Sequence, residues 1–198
     1  MIVLDSSGSM MATTDGQSRL QSANLAMAQV VPPISAIRPL GLTVYSGNFS
    51  KCDDVRMLVT PTRGSGPAIL NALADVQPRG ATPLGAAVRL VVTYFRDRAE
   101  AATLVVVTDG EENCGDNICS LADEIAEGQP RMEVHVIGYD LDNRQAQSLR
   151  CLSNRNGGRY TTVTTTGELV DALQQALSCP AVSVKSARQS LAALVSHR

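Results

Sequence analysis

The runs TLVVVT (Thr103–Thr108) and VHVIGY (Val134–Tyr139) are apolar at nearly every position and no longer than a strand. A strand with one wet face alternates apolar and polar residues. A run without alternation needs cover on both faces, as the central strands of a parallel sheet have. Strand-length runs fall at Ile2–Asp5, Leu40–Ser46, Val55–Thr60, Thr103–Thr108, Glu133–Tyr139 and Arg159–Val163. Segments of helical period lie between and after them, at Ser18–Val31, Ala68–Val76, Leu84–Arg96, Ile118–Glu127, Arg144–Arg155 and Glu168–Leu177. Pro32-Pro33 is expected to stop the first helix, because proline lacks an N–H and restricts its predecessor. Gly157-Gly158 is expected to end the fifth, and Thr165 with Glu168 three residues on has the form of a capping box for the last. The polar stretch Gly47–Asp54 is too short for a crossover helix. It predicts an antiparallel hairpin whose second strand, carrying Arg56, lies at the sheet edge. The expected fold class is therefore α/β: a doubly wound, mostly parallel six-stranded sheet with one antiparallel edge strand and helices on both faces.

At 198 residues the chain can bury a core as one domain. That domain is expected over residues 1–178, with 179–198 as a tail holding a short amphipathic helix at Ala187–Val195. Met1 already lies inside the first apolar run, so a domain truncated at its first strand is expected, and the missing leader says little about compartment. The chain has 17 Lys+Arg against 19 Asp+Glu and no Trp. No basic block with stacking rings stands out, which argues against a nucleic-acid partner. No apolar run approaches the ~18–20 residues that cross a bilayer.

The five cysteines point to an oxidising, extracytoplasmic compartment: periplasmic, secreted or surface-anchored. Cys114 and Cys119 are close in sequence, whereas Cys52, Cys151 and Cys179 stand apart. Disulfides, free thiols and zinc are all open, with disulfides favoured: the spacing is not a repeated C-x-x-C, and His135 and His197 are remote in sequence. Cys52, Cys114, Cys119 and Cys151 are expected in loops or helix starts at one end of the sheet. Four cysteines allow three pairings, and Cys179 is the odd one.

The first strand ends on DSSGS, residues 5 to 9, and a later one ends on Asp109 in VVVTDG. In an open parallel sheet, function gathers beyond the carboxyl ends of the strands. If these strands are neighbours, Asp5 and Asp109 face one crevice, with the hydroxyls of Ser7 and Ser9 beside them. Thr82, in the helix-connecting loop QPRGATPLG, supplies a third hydroxyl, its backbone restricted by Gly80 and Pro83. Two carboxylates and three hydroxyls form an all-oxygen set, which suits Mg²⁺ or Mn²⁺ better than zinc or copper, with Ca²⁺ also possible. So few anionic donors leave a bound cation with much of its charge, and hence attractive to a carboxylate from a partner.

DSSGS, the threonine of GATPLG and the aspartate of VVVTDG resemble, in order and spacing, the metal-ion-dependent adhesion site of von Willebrand factor type A domains. The resemblance covers about residues 1–178 and is strongest to the bacterial branch, where TDGEE followed by a cysteine pair is familiar. It implies that Ser7, Ser9 and Thr82 ligate the ion directly, with Asp5 and Asp109 acting partly through water. It also implies a protein-binding module that captures a partner's Asp or Glu, not an enzyme. In the family that capture can be coupled to movement of the last helix, here Glu168–Leu177.

Plainer alternatives stand beside each motif. Asp-Ser-Ser-Gly alone could be a turn with a helix cap, and Thr82-Pro83 a helix-start pair. Glu111 and Glu112 read as solvated loop residues, and His135 as a satisfied strand residue. Asp140 and Asp142 read as a strand end and helix cap before a second cation site. Arg63–Pro67, RGSGP, lacks the Lys-Ser/Thr of a phosphate loop. The rival function is a Mg²⁺-dependent hydrolase or phosphatase. Against it, Ser7 stands where a second acid would be needed, neither histidine falls in a site loop, and no G-x-S-x-G occurs. A structural domain with a vestigial site is the third alternative.

Overall fold

A computed structural model describes residues 1–14, 16–48, 51–98, 101–128 and 131–178. The tail, Cys179 and the helix expected at Ala187–Val195 lie outside the described residues. The strands are β1 (Ile2–Asp5), β2 (Thr13–Thr14), β3 (Gln17–Ser18), β4 (Leu40–Asn48), β5 (Lys51–Thr62), β6 (Ala102–Thr108), β7 (Met132–Tyr139) and β8 (Tyr160–Val163). The helices are α1 (Arg19–Ile37), α2 (Gly66–Ala74), α3 (Leu84–Arg96), α4 (Ile118–Gly128), α5 (Gln145–Asn154) and α6 (Thr166–Leu177). Six strands form one sheet in the order β5-β4-β1-β6-β7-β8; β2 and β3 pair as a separate small hairpin. Every neighbour pair in the large sheet is parallel except β4–β5. The expected architecture, with its single antiparallel edge, is the observed one.

Period-two alternation along β1 divides the core. Ile2 and Leu4 join the layer under α1, α2 and α6, while Met1 and Val3 join the layer under α3, α4 and α5. All four are buried, as expected for a strand covered on both faces. The chain leaves β1 in opposite directions toward its two neighbours, so β1 and β6 flank the point where strand order reverses. Asp5 is the last residue of one and Asp109 directly follows the other.

Two local expectations require correction. Helix α1 does not stop at Pro32-Pro33 but carries both prolines and runs to Ile37. The carbonyls that lose their donors belong to Ala28 and Gln29, which are exposed and open to water, while Val30, Val31 and Ser35 are buried on the opposite face. Burial of that face outweighs the lost bonds. The hairpin strands reach Asn48 and Lys51, well into the stretch expected to be loop. Their pairing shifts register at three places, as edge strands often do. Gly41 permits one close approach: a Cβ there would stand 2.7 Å from the Val59 carbonyl oxygen. The capping box at Thr165 and Glu168 is present, and a second one, Ser18 with Gln21, starts α1.

Candidate metal centre

Asp5, Ser7, Thr82 and Asp109 are buried, and Ser9 is exposed at the rim. The turn after β1 is set by Asp5, whose Oδ1 accepts from the Ser7 amide at 2.7 Å. Its Oδ2 accepts from the Thr108 hydroxyl at 2.7 Å and from the Tyr45 hydroxyl at 3.1 Å. Tyr45 reaches it because β4 pairs with β1 in the register Asp5↔Tyr45. Burial, and then the nearby Asp109 carboxylate, push the Asp5 carboxyl up to about 6. The hydroxyls of Ser7 and Ser9 lie 3.0 Å apart, and Ser9 Oγ donates to Asp109 Oδ1 at 2.6 Å. These contacts join the two strand ends through a chain of oxygens.

Thr82 arrives from the α2–α3 loop. That loop is tied to the first turn by Gly8 N–H to the Gly80 carbonyl (3.0 Å) and Arg79 N–H to the Ser6 carbonyl (2.9 Å). Gly80 takes a left-handed φ of 66°, which lets the loop turn into this contact. Ser9 Oγ and Thr82 Oγ1 each lie 3.8 Å from where a Cβ would stand at Gly110, which places Thr82 over the same crevice. On its other side, Thr82 N–H donates to Asn113 Oδ1 at 2.7 Å and the Thr82 carbonyl accepts from Asn113 N–H at 3.4 Å. Glu112 braces this loop by accepting from the amides of Gly85 (2.7 Å) and Cys114 (2.5 Å). Glu112 is thus half-buried and structural, not a solvated loop residue; burial raises its carboxyl above the usual range. Asn113→Ala is expected to speed hydrogen exchange of the Thr82 amide about tenfold, the loss of one hydrogen bond's net contribution. Amide exchange by NMR would read it.

Cys52 is bonded to Cys114, and Cys119 to Cys151. This removes the zinc alternative for these four residues. Among the described residues, no group of three or more His, Cys, Asp or Glu could hold a metal; a site built here must use hydroxyls. Not all four cysteines lie in loops or helix starts: Cys52 is in β5 and Cys151 is in the second half of α5. The first bridge holds the loop bearing Asn113; the second joins α4 to α5.

Residues 1–112 match the von Willebrand factor type A domain family. The chain belongs to that family. It is similar to the uncharacterized protein YwmC of Bacillus subtilis (strain 168), 27% identical over 170 residues that cover 80% of this chain and 74% of the relative. Among solved structures it is similar to a von Willebrand factor type A protein from Catenulispora acidiphila, with a TM-score of 0.66, 18% identity and coverage of 89% of this chain and 41% of that one. It is also similar to the manganese-loaded TRAP protein of Plasmodium vivax, with a TM-score of 0.63, 17% identity and coverage of 89% and 72%. At such identities the structures show the shared fold.

In this von Willebrand factor type A domain, the five residues singled out from the sequence are brought to one crevice at the carboxyl ends of β1 and β6. Asp142 caps the start of α5, accepting from Gln145 N–H at 2.8 Å. Asp140 instead faces the crevice through Arg19, whose guanidinium lies 2.8 Å from both Asp109 Oδ2 and Asp140 Oδ2. His135 sits within β7, accepting from Arg159 N–H and pairing with Glu133. Sequence reasoning missed Tyr45, Thr108, Asn113 and Arg19. Thr108 had a signal in standing directly before Asp109; the other three depend on register and tertiary approach. A cavity of about 660 Å³ opens at the opposite end of the sheet, near Met1, Leu40 and Ala102, and contains none of the five residues.

Proposed function

We propose that residues 1–178 form a divalent-cation-dependent protein-binding module, with Asp5, Ser7, Ser9, Thr82 and Asp109 as its metal-ion-dependent adhesion site. The supporting observation is the continuous set of oxygens from Ser7 through Ser9 to Asp109, at the strand-order reversal. Such a donor set fits Mg²⁺ or Mn²⁺, with Ca²⁺ as the larger alternative. Ser7, Ser9 and Thr82 would hold the ion directly, and Asp5 and Asp109 partly through water. When bound, the cation supplies Lewis-acid attraction for a carboxylate.

The chain's own residues set the rest. Asp5, fixed by three donors, orients the turn that presents Ser7 and Ser9. Asn113 and the Gly8–Gly80 contact hold Thr82 opposite them. Three neutral hydroxyls leave the ion's charge largely uncompensated, so an Asp or Glu of a partner protein is the ligand this site suits. The manganese-loaded neighbour supports the choice of ion class. A binding role also fits better than hydrolysis, since His135 is engaged within β7 away from the strand ends. The two disulfides support an extracytoplasmic setting.

Calorimetry with Mn²⁺, with and without acetate, tests this. The wild type is expected to bind one ion, more tightly with acetate, while Ser9→Ala and Thr82→Ala each lose more than about tenfold in affinity, since losing a direct ligand should cost at least as much as losing an outer contact. A folded wild type that binds no Mn²⁺, or variants that bind as it does, would refute the proposal.

A further inference from the structure

We infer that Arg19 is a charge-setting residue of this centre: a built-in cation on Asp109 that weakens capture of the bare ion and makes it depend on the partner's carboxylate. The inference rests on the metal-site reading above. Arg19 opens α1, where its own N–H donates to the Ala12 carbonyl at 2.9 Å. Its guanidinium reaches the carbonyl ends of two adjacent strands, with one nitrogen 2.8 Å from Asp109 Oδ2 and another 2.8 Å from Asp140 Oδ2. The Asp109 side chain is 0% exposed, and its other oxygen is taken by Ser9. The carboxylate facing the hydroxyls is therefore already charge-paired before any ion arrives.

Spanning Asp109 and Asp140 together calls for a planar fork, whereas the charge beside Asp109 needs only a cation. Arginine can span two carboxylates in a fixed geometry, whereas lysine is a single point charge. Asp140 adopts φ 54°, a left-handed backbone that aspartate tolerates better than most residues. Its amide is tied to the Val163 carbonyl at 2.8 Å. Among the described residues, Arg19 Nε is buried without a hydrogen-bond partner. Buried polar groups are normally satisfied, so the side chain holds the two carboxylates at the expense of its own remaining donor.

The charge count gives the consequence. Asp5 and Asp109 together offer two negative charges; Arg19, shared with the half-exposed and water-screened Asp140, offsets part of that charge. A dication then keeps a net positive charge in the crevice, which a carboxylate ligand neutralises. Binding of ion and carboxylate is thereby coupled, and the coupling is reciprocal.

The test is a Mn²⁺ titration, without and with excess acetate, of the wild type, Arg19→Gln, Arg19→Met and Arg19→Lys, with circular dichroism as the fold check. Arg19→Met retains the packing of the aliphatic stem should the glutamine variant fold poorly. Both neutral variants are expected to bind Mn²⁺ about tenfold more tightly without acetate, the order of effect expected when a unit charge near a dication is removed in a high-dielectric setting. Their enhancement by acetate should shrink by a similar factor, while Arg19→Lys, which keeps the charge, stays near the wild type. Equal or weaker binding by folded neutral variants would overturn the role of Arg19 and leave the metal site standing. No binding by the wild type or any folded variant would remove the metal site and the inference with it.

Discussion

Asp5→Asn is expected to make the protein more stable in the presence of a chelator and a much weaker binder of Mn²⁺. Asp5 is fully buried, and its carboxyl is pushed up to about 6, first by burial and then by Asp109. Since the folded-state value lies above the unfolded one, both states hold the proton below about pH 4. Between about pH 4 and pH 6 the unfolded chain gives up its proton first, so stability falls as pH rises through that window and levels off above it. The contribution is on the order of 3 kcal/mol. Asparagine keeps the shape without the charge. The variant should lack this fall and, near pH 7 in chelator, melt several degrees higher, since 1 kcal/mol moves Tm by roughly 2–4 °C at this size. Its Mn²⁺ affinity should drop by more than about a hundredfold, at the upper end of losses from metal-site substitutions. A variant that melts lower than the wild type in chelator would show that the bonds from Ser7, Tyr45 and Thr108 outweigh the cost of the buried charge.

The two disulfides should separate stability from site order. The Cys52–Cys114 bridge spans 62 residues and the Cys119–Cys151 bridge spans 32. The chain-entropy relation assigns each roughly 4 kcal/mol, and measured losses usually fall at or below that figure. Paired Cys→Ser variants should both unfold at lower denaturant. Only the Cys52/Cys114 pair should also lose Mn²⁺ affinity, by about tenfold, the low end for lost outer contacts. Cys114 follows Asn113, whose side chain holds the Thr82 amide, and its own amide is held by Glu112. The Cys119–Cys151 bridge joins two helices on one face and touches none of the five residues. An equal loss of Mn²⁺ affinity in both pairs would mean that the bridges act through overall stability and not through this loop.

The fold was legible because its signals are local and repeated. Unbroken apolar runs announced β6 and β7, and the short Gly47–Asp54 stretch announced the antiparallel edge. The five candidate residues were legible because each ends a strand or sits in a loop with turn chemistry. What escaped depended on tertiary placement. Pro32-Pro33 failed as a stop signal because the carbonyls it deprives face water while Val30 and Val31 anchor the opposite face. Glu112 looked solvated because sequence cannot show that the amides of Gly85 and Cys114 point at it. Arg19 read as one more residue in a helix that follows a turn. Its partners lie 90 and 121 positions away, and nothing local marks them.

The most direct measurement is anomalous X-ray scattering from crystals of the protein grown with Mn²⁺. A single manganese peak among the oxygens of Ser7, Ser9 and Thr82, lost in crystals of an Asp5→Ala/Asp109→Ala variant, is the result predicted. Well-ordered crystals grown with Mn²⁺ that show no manganese peak in that crevice would contradict the account.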